Sequence, residues 1–435
     1  MARELISLAP PVERAVLVGA PIKRSPARHQ LEEHLAELER LADTAGATVV
    51  GTLTQQIDRP NPATYLGKGK IDELRSVIED RDATLVIFDD ELTPAQGKNV
   101  EDSVGRRVMD RAELILDIFA TRARTHEAKL QVELAQLEYM LPRLTRMWAH
   151  LEKTRGGIGI GMRGPGETQL ETDRRLINHR IKLLHERLHD VVTAREVQRK
   201  GRRGEFRASL VGYTNAGKSS ILRALTQAND VFVEDRLFAT LDPLTREVAL
   251  GERERVLVTD TVGFIRKLPH DLVASFRATL EEVREADVLI HVIDASHPAW
   301  EEQREVVDDV LNELGAGDRP IIQAFNKIDR LDSKSVAALR ERMAELAPAS
   351  VFISALEPGG VKPLRDALAL HLHASRPLTQ LRVPLTNGGL LAAVHRAGEV
   401  LDQRHDGDAI IVKARLDDAA VARLTRAGAT VEMVQ

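Results

Sequence analysis

Residues 212–219 read Gly-Tyr-Thr-Asn-Ala-Gly-Lys-Ser, and this motif is the strongest structural signal in the middle of the chain. An apolar run, Phe206–Val211, precedes it, and a helical pattern that begins near Lys218 follows it. Glycines between a strand and a helix let backbone N–H groups close around phosphate oxygens, and the helix N-terminus adds partial positive charge. We therefore predict a phosphate-binding loop in which Lys218 neutralises the β- and γ-phosphate oxygens and the Ser219 hydroxyl binds Mg²⁺.

Four further elements follow in the order and spacing of a guanine-nucleotide-binding (G) domain. They are Phe238-Ala-Thr-Leu-Asp-Pro-Leu-Thr245, Asp260-Thr-Val-Gly263, Asn326-Lys-Ile-Asp329 and Ser354-Ala-Leu356. Asp260 is expected to hold Mg²⁺ through water, and the Gly263 amide to meet the γ-phosphate. Thr240 is the first choice for the switch threonine that binds Mg²⁺ and senses the γ-phosphate, and Thr245 is the alternative.

The third and fourth elements are predicted to select the base. A carboxylate at Asp329 can accept hydrogen bonds from guanine N1–H and the 2-amino group, a donor pair that adenine lacks. Asn326 is expected to brace the loops and the stem of Lys327 to cover the base. A backbone N–H of 354–356 is expected to meet guanine O6. The sequence therefore predicts GTP rather than ATP as the substrate.

The predicted site consists of a few chemically active residues within a larger binding set. Catalytic roles are assigned to Lys218, Thr240 and Gly263. Metal ligation is assigned to Ser219, Thr240 and Asp260. The predicted nucleotide-binding residues are Gly212, Tyr213, Thr214, Asn215, Ala216, Gly217, Lys218, Ser219, Ser220, Phe238, Thr240, Asp260, Thr261, Val262, Gly263, Asn326, Lys327, Asp329, Ser354, Ala355 and Leu356.

A departure from the common GTPase pattern follows Gly263. Many GTPases place a glutamine there to orient the attacking water, whereas this chain has Phe264. A phenyl ring cannot hydrogen-bond to water, so unassisted hydrolysis is expected to be slow. A partner, a bound cation or a rearranged switch must then supply the missing groups. Asn215 could bind K⁺ near the β–γ bridge, as in some GTPases, or could only stabilise the loop.

Composition bounds the class of protein. The chain has 435 residues, 43% hydrophobic and 29% charged, which is the balance of a soluble globular protein of about three domains. It has no cysteine, which excludes disulfides and cysteine-ligated metal sites. The sequence shows no signal-peptide pattern and no apolar run of the roughly 18 residues of a membrane span. We expect a monomer without stable membrane insertion, cytoplasmic, with peripheral membrane association as an alternative.

The patterning predicts an α/β chain of four regions. Residues 1–110 alternate strands and helices, which is typical of a parallel sheet covered by helices. Residues 111–200 are predicted to form a long antiparallel helical hairpin. Residues 205–375 alternate strands and helices again and contain the nucleotide motifs. Residues 380–435 are predicted to form a small α+β module.

The hairpin prediction depends on two apolar stripes at helical spacing. They consist of Leu130, Leu134, Leu137 and Leu141, and of Ile177, Ile181, Leu184, Leu188 and Val191. The alternative is that each stripe packs on a neighbouring sheet. Between the stripes lies a non-periodic insert, 143–173, with six glycines between Gly156 and Gly166, a density that disfavours a stable helix.

Positive charge concentrates around this insert. Residues 143–203 carry 15 Lys or Arg against 7 Asp or Glu, a net charge of +8, although the formal net charge of the whole chain is −5. Such a projection suits the phosphate backbone of RNA, and a solvated helix face is the plain alternative. The candidate RNA contacts in the insert are Arg146, Trp148, Lys153, Arg155 and Arg163.

With these residues in place, the chain resembles the HflX family of translational GTPases over about residues 10–375. Outside the G domain the resemblance is carried by Tyr65-Leu-Gly-Lys-Gly-Lys70, Phe88-Asp-Asp-Glu-Leu-Thr-Pro-Ala-Gln96, 111–144 and 155–175. Residues 380–435 match less clearly. Within the first segment, Gly67–Lys70 could be a second phosphate loop, but it lacks the full spacing, and a packed loop before a helix at Ile71 is favoured.

The resemblance implies a GTPase that binds the large ribosomal subunit, is stimulated by ribosomes and splits stalled or idle ribosomes, notably after heat stress. It also implies that the hairpin and its glycine-rich loop reach toward the peptidyl-transferase region and its ribosomal RNA. Two other functions stay open. One is a GTPase in RNA modification or ribosome assembly, and the other is a GTP-dependent scaffold at a membrane protease or signalling complex.

Overall fold

A computed structural model of the protein describes residues 12–23, 30–154, 165–200, 205–226, 237–251, 254–268 and 277–432. These residues form two compact units. The first contains the described residues up to 194 together with 237–242, 265–268 and 277–278. The second contains the other described residues. Among all of them, no helix combines the length and the apolar character that crossing a bilayer would require.

The first unit contains a parallel sheet in the order β2-β1-β3-β4. Its strands are β1 (Arg14–Gly19), β2 (Thr48–Thr54), β3 (Leu85–Phe88) and β4 (Arg107–Asp110). Three helices connect them, α1 (Leu31–Ala45), α2 (Lys68–Asp80) and α3 (Pro94–Val104). The two central strands, β1 and β3, are almost entirely buried, as expected where helices cover both faces of a sheet. The predicted strand–helix alternation is confirmed.

The Gly67–Lys70 segment differs from its prediction. Helix α2 begins at Lys68, so the segment is the first helical turn rather than a packed loop before Ile71. Gly67 supplies the extended N-cap residue of this helix, and Lys70 forms an ion pair with Glu73 one turn later. Such local capping and pairing carry a helix past glycine, which disfavours helix but does not forbid it near the terminus.

Three helices follow the sheet, α4 (Arg111–Arg122), α5 (His126–Thr154) and α6 (Pro165–Lys200). The apolar stripes of α5 and α6 meet in one cluster, which comprises Leu130, Leu134, Leu137, Ile181, Leu184 and Leu188. Because this cluster lies far from the connection on both helices, the two helices run antiparallel. Arg180 adds a bidentate ion pair with Glu133 across the hairpin. The predicted antiparallel hairpin is therefore confirmed, but it begins at His126 rather than at residue 111, because Arg111–Arg122 form the separate helix α4.

The insert between the hairpin helices is narrower than the predicted 143–173. Helix α5 continues to Thr154, and α6 begins at Pro165, where proline suits the first helical turn. Helix-favouring residues fill 143–154, and the first glycine comes only at Gly156. Most of the predicted glycine loop, 155–164, lies outside the described residues, as do the side chains of Arg146, Trp148 and Lys153.

The second unit contains a six-stranded sheet in the order β10-β9-β8-β5-β7-β6, parallel except for β6. Its strands are β5 (Arg207–Gly212), β6 (Leu244–Ala249), β7 (Arg255–Asp260), β8 (Val288–Asp294), β9 (Ile321–Asn326) and β10 (Val351–Phe352). Its helices are α7 (Lys218–Thr226), α8 (Arg277–Arg284), which starts in the first unit, α9 (Trp300–Glu313), α10 (Ser333–Leu346) and α11 (Lys362–Ser375). Aliphatic side chains fill the space between sheet and helices.

The C-terminal part of the second unit forms an antiparallel sheet in the order β12-β13-β11-β14. It comprises β11 (Leu378–Pro384), α12 (Gly388–Ala397), β12 (Glu399–Asp406), β13 (Ala409–Arg415), α13 (Asp418–Arg426) and β14 (Thr430–Glu432). The sequence did not predict α12 or β12. Strand β12 is an edge strand of mainly polar residues, the last six of them exposed, so the alternation that marks half-buried strands is absent from it.

Candidate nucleotide-binding site

The phosphate loop joins the carboxyl end of β5 to the start of α7. A Cβ atom on Gly212 would lie 2.3 Å from the carbonyl oxygen of Val292 in the neighbouring strand. A Cβ on Gly217 would lie 2.3 Å from Nδ2 of Asn326, and Gly217 has a φ of 99°. Both positions therefore require glycine, because the backbone is curled too tightly against its neighbours for any side chain.

Lys218 lies inside this loop with only 6% of its surface exposed. Its ammonium donates hydrogen bonds to the carbonyl oxygens of Gly212, at 3.1 Å, and Tyr213, at 2.9 Å. Burial lowers the pKa of Lys218 to about 8, with a contribution from the charge of Lys327, although nearby Asp260 acts in the opposite direction. A phosphate group arriving here would meet a poorly solvated cation held by the loop itself.

Two of the predicted metal ligands, Ser219 and Asp260, are in direct contact. The Ser219 hydroxyl donates a 2.6 Å hydrogen bond to Oδ2 of Asp260, the last residue of β7. A hydroxyl and a buried carboxylate are the hard oxygen donors that Mg²⁺ prefers, so these residues fit that ion. Bound there, Mg²⁺ would supply neutralisation of the β- and γ-phosphate charge.

The base-selecting loops are tied to the phosphate loop through Asn326. Its Nδ2 donates to the carbonyl oxygen of Ala216 at 2.9 Å, and its Oδ1 accepts from the N–H of Ala355 at 3.1 Å. Lys327 has a φ of 63° and donates to the carbonyl oxygen of Asn215 at 2.8 Å. Three separate loops therefore hold one another at the carboxyl edge of the sheet.

The specificity residues lie at the surface beside these braces. Asp329 occupies a short 3-10 helix, Ile328–Arg330, and its side chain is exposed. Ser354 is buried, and its hydroxyl accepts hydrogen bonds from the N–H groups of Leu356 and Glu357. The arrangement leaves the Asp329 carboxylate accessible to a base.

The segment after β7 packs directly on the phosphate loop. A Cβ on Gly263 would lie 2.7 Å from Cα of Thr214 and 3.1 Å from Nζ of Lys218. The Phe264 N–H donates to the Gly212 carbonyl oxygen at 3.1 Å, and the Phe264 carbonyl oxygen accepts from the Thr214 N–H at 2.7 Å. The Phe264 side chain is 1% exposed. This buried phenyl ring presents no hydrogen-bonding group to water.

The remaining predicted residues of the second unit have local structural contacts. The Thr261 hydroxyl donates to the Leu210 carbonyl oxygen at 2.6 Å, and Val262 is buried. Ser220 is half-buried in the first turn of α7. Thr245, the alternative switch threonine, lies in β6, where its hydroxyl bonds that of Thr259 at 2.9 Å.

Phe238 and Thr240 belong to the first unit, not to the second. The Phe238 ring packs edge-on against Phe119 of α4, with ring centroids 4.7 Å apart. Asp242 accepts hydrogen bonds from the backbone N–H groups of Arg124 and Thr125, at 3.2 and 3.3 Å. The half-buried Thr240 therefore lies between two residues that are fixed to the helices following the first sheet.

Arg266 and Lys267 are two residues of the first unit that the sequence did not single out. Arg266 binds the Glu37 carboxylate of α1 at 3.0 Å. The Lys267 ammonium lies 2.6 Å from Asp89 and 2.7 Å from Asp90, which follow β3. The sequence signal for this contact lies in the acidic partners of Lys267. Asp89 and Asp90 directly follow a buried strand, where the carboxyl edge of a parallel sheet collects polar groups.

Arg111 completes this buried charge cluster. Its guanidinium bridges Asp89, at 2.8 Å, and Glu37, at 2.6 Å. Burial tends to raise the pKa of Asp89, but the hydrogen bond with His34 and the charges of Arg111 and Lys267 outweigh it and hold that pKa well below its usual range. The Asp89 carboxylate is therefore charged at neutral pH.

Together, a six-stranded sheet with a glycine-rich phosphate loop, an Asp-x-x-Gly turn and an Asn-Lys-x-Asp loop at one edge define a G domain of the P-loop class. Family models match three successive parts of the chain. They are "GTP-binding GTPase N-terminal" over 32–120, "GTP-binding GTPase Middle Region" over 122–202 and "50S ribosome-binding GTPase" over 207–327.

Curated relatives named GTPase HflX match most of the chain. The relative from Caldanaerobacter subterraneus subsp. tengcongensis is 46% identical over 94% of this chain and 92% of its own. The relative from Alkalihalophilus pseudofirmus is 50% identical over 91% of each chain. The one from Escherichia coli K12 is 45% identical over 82% of this chain and 83% of its own. The chain belongs to the HflX family, and it is a GTPase that hydrolyses GTP.

Proposed function

We propose that this GTPase binds the large ribosomal subunit, that the ribosome stimulates its hydrolysis, and that it splits stalled or idle ribosomes under stress. The observation that carries the proposal is Phe264. Its ring is buried and its backbone is paired with the phosphate loop, at the position where many GTPases orient the attacking water. The groups that complete catalysis must then come from outside this position, and a large partner can supply them.

Two further observations support a ribosomal partner. The G domain matches a family model described as a 50S ribosome-binding GTPase. The hairpin α5–α6 carries much of the +8 region 143–203, which suits ribosomal RNA. Within it, Arg143 stacks on Tyr139 and binds Asp110 at 3.0 Å, so this arginine has an intramolecular role. The RNA contacts are therefore assigned to the cations that follow Arg143 in the insert, which are Arg146, Lys153, Arg155 and Arg163.

The nucleotide would be held with Mg²⁺ by Ser219, Asp260 and Thr240. Asn215, whose φ is 59°, is the residue we assign to a K⁺ near the β–γ bridge. A monovalent cation there would partly replace an arginine finger. We further propose that the protein acts as a cytoplasmic monomer.

Cosedimentation with purified large subunits tests the proposal. Binding is expected with a non-hydrolysable GTP analogue and to be much weaker with GDP. GTP turnover is expected to rise with ribosomes, and to rise further when K⁺ replaces Na⁺. Equal binding in both nucleotide states would refute the switch, and turnover that ribosomes do not change would favour a scaffold function.

A loop deletion tests the assignment of RNA contacts. Removing 156–166 is expected to leave GTP affinity unchanged, since no nucleotide-binding residue lies in this segment. The same deletion is expected to impair ribosome splitting, measured by the appearance of free subunits in a sucrose gradient. Unimpaired splitting would remove the loop from the proposal, and accumulation of precursor particles on depletion would favour ribosome assembly.

A further inference from the structure

Asp242, two residues after the predicted switch threonine Thr240, has contacts that nucleotide binding does not explain. Oδ2 of its carboxylate accepts from the N–H groups of Arg124 and Thr125, and Oδ1 accepts from the Thr125 hydroxyl. All of these donors lie immediately before α5, the first helix of the hairpin. Asp242 therefore belongs structurally to the start of that helix, although it is 117 residues further along the chain.

Thr125 connects Asp242 to the helix itself. Its hydroxyl accepts a 3.1 Å hydrogen bond from the N–H of Ala128 in the first turn of α5 and donates its own proton to Asp242. The first N–H groups of a helix have no partner within the helix, and a negative charge near them is favourable. The Asp242 carboxylate thus completes the capping of the hairpin helix from another part of the sequence.

A second anchor holds the other side of the switch threonine. Phe238 is buried against Phe119 and has a φ of 55°, a left-handed conformation that is unfavourable for a bulky residue. Tertiary packing must hold such a conformation in place. Leu237 and Leu241 are also buried. Thr240 therefore lies two residues from Phe238 on one side and two residues from Asp242 on the other.

We infer that Asp242 is a positioning residue for Thr240 and that it links the γ-phosphate to the start of the hairpin helix α5. The inference rests on the proposed role of Thr240 at the nucleotide. Two residues of chain span at most about 7 Å. A movement that takes Thr240 beyond this distance from Asp242 therefore either breaks the bonds of Asp242 or moves the start of α5. Both outcomes change the surroundings of the Arg124 and Thr125 N–H groups.

Hydrogen exchange on the full chain tests this link without ribosomes. In the wild-type protein the amides of 124–128 are expected to exchange at rates that differ at least a few-fold between GDP and a non-hydrolysable GTP analogue. In Asp242→Ala this difference is expected to disappear. Identical exchange of these amides in the two nucleotide states of the wild type would overturn the inference.

The kinetic readout separates positioning from loss of folding. Asp242→Ala is expected to lower the ribosome-stimulated kcat about tenfold while the affinity for GDP changes less than about twofold, because GDP has no γ-phosphate for Thr240 to sense. Asp242→Asn keeps one acceptor oxygen and is expected to retain part of the rate, even if the alanine variant folds poorly. A wild-type kcat in both variants would refute the role.

Asp417→Ala is the matched control. Asp417 caps α13 through the N–H of Ala420, so its loss removes a helix cap of the same kind from the C-terminal sheet. This variant is expected to keep the nucleotide-dependent exchange of 124–128 and the stimulated kcat. If ribosomes stimulate no variant at all, the proposed ribosomal function fails, whereas the ribosome-free exchange experiment still decides the link.

Discussion

The two halves of the nucleotide machinery are built differently. The loops that hold the phosphates and the base are braced by one another, through Asn326 to Ala216 and Ala355 and through Lys327 to Asn215. The segment around Thr240 and residues 266–267 are held instead by contacts within the first unit, through Asp242 and Lys267. We therefore expect basic nucleotide affinity and the response to the γ-phosphate to depend on different parts of the chain.

This division has a consequence for regulation. Loops that are held to one another have less conformational freedom to lose when nucleotide binds, which lowers the ordering cost of binding. Segments anchored to the N-terminal sheet and the start of the hairpin couple their position to whatever those elements contact. If Asp242 positions Thr240 as inferred, we expect a partner that moves the hairpin to change hydrolysis while the phosphate loop stays unchanged.

We expect Lys218→Ala, in the loops that brace one another, to cause the greatest loss of nucleotide affinity. Removal of the buried ammonium takes away its bonds to the loop carbonyls and its charge on the phosphates. Affinity for both GDP and GTP is expected to fall more than about 100-fold, or about 2.7 kcal/mol. Calorimetry measures it, and Lys70→Ala, in the other Gly-Lys segment, serves as the control. A fall with Lys70→Ala would revive a second phosphate loop at Gly67–Lys70.

Asp329→Asn is expected to change the choice of base rather than abolish binding. An amide in place of the carboxylate cannot accept both guanine hydrogen bonds, so GDP affinity should fall about 100-fold. Xanthine, with a carbonyl at C2, should become the preferred base. Competition between the two nucleotides measures this. Asp332→Asn changes an acid that only caps α10 and should leave the preference intact, whereas unchanged GDP affinity in Asp329→Asn would remove its assigned role.

Asp89→Asn tests the contacts that hold residues 266–267 within the first unit. The change removes the carboxylate charge that Asp89 presents to the buried Arg111 and to the Lys267 ammonium. It is expected to destabilise the first unit by about 3 kcal/mol. GDP affinity should change less than about twofold, while ribosome-stimulated turnover falls. Asp58→Asn, which breaks an exposed ion pair with Lys23 in the same unit, should cost under about 1 kcal/mol. A large loss of GDP affinity in Asp89→Asn would contradict the division.

The smallest effect is a proton taken up when nucleotide binds. Burial lowers the pKa of Lys218 to about 8, so at pH 8 the nucleotide-free protein has lost about half of this proton. Phosphate favours the charged form, so binding raises this pKa and takes up about half a proton. Calorimetry of GDP binding at pH 8 in buffers of different ionisation enthalpy measures the uptake. An absence of uptake would show that Lys218 is already fully charged before the nucleotide arrives.

The order of elements in both α/β regions could be predicted from sequence, because buried strands and amphipathic helices leave periodic patterns. Helix α3 has clear local signals at both ends, since Thr93 and Gln96 form a capping box at one end and Gly105 adopts a φ of 68° at the other. Strand β12 could not be predicted, because an exposed edge strand needs no apolar alternation. Helices α5 and α6 extend into the predicted insert, because its dense glycines are confined to the centre and helix-favouring residues flank them.

The class of the site could be read from the residues alone, because Lys218, Asp260 and Asp329 lie within short motifs whose spacing is set by local strand–loop–helix geometry. The contacts that hold residues 237–242 and 265–268 are visible in the folded chain alone. Lys267 forms an ion pair with Asp89, which is 178 residues away in the sequence, and Asp242 accepts a hydrogen bond from Thr125, which is 117 residues away. An ion pair or a helix cap made over such distances leaves no periodicity or motif in either segment, so chain folding alone brings these partners together.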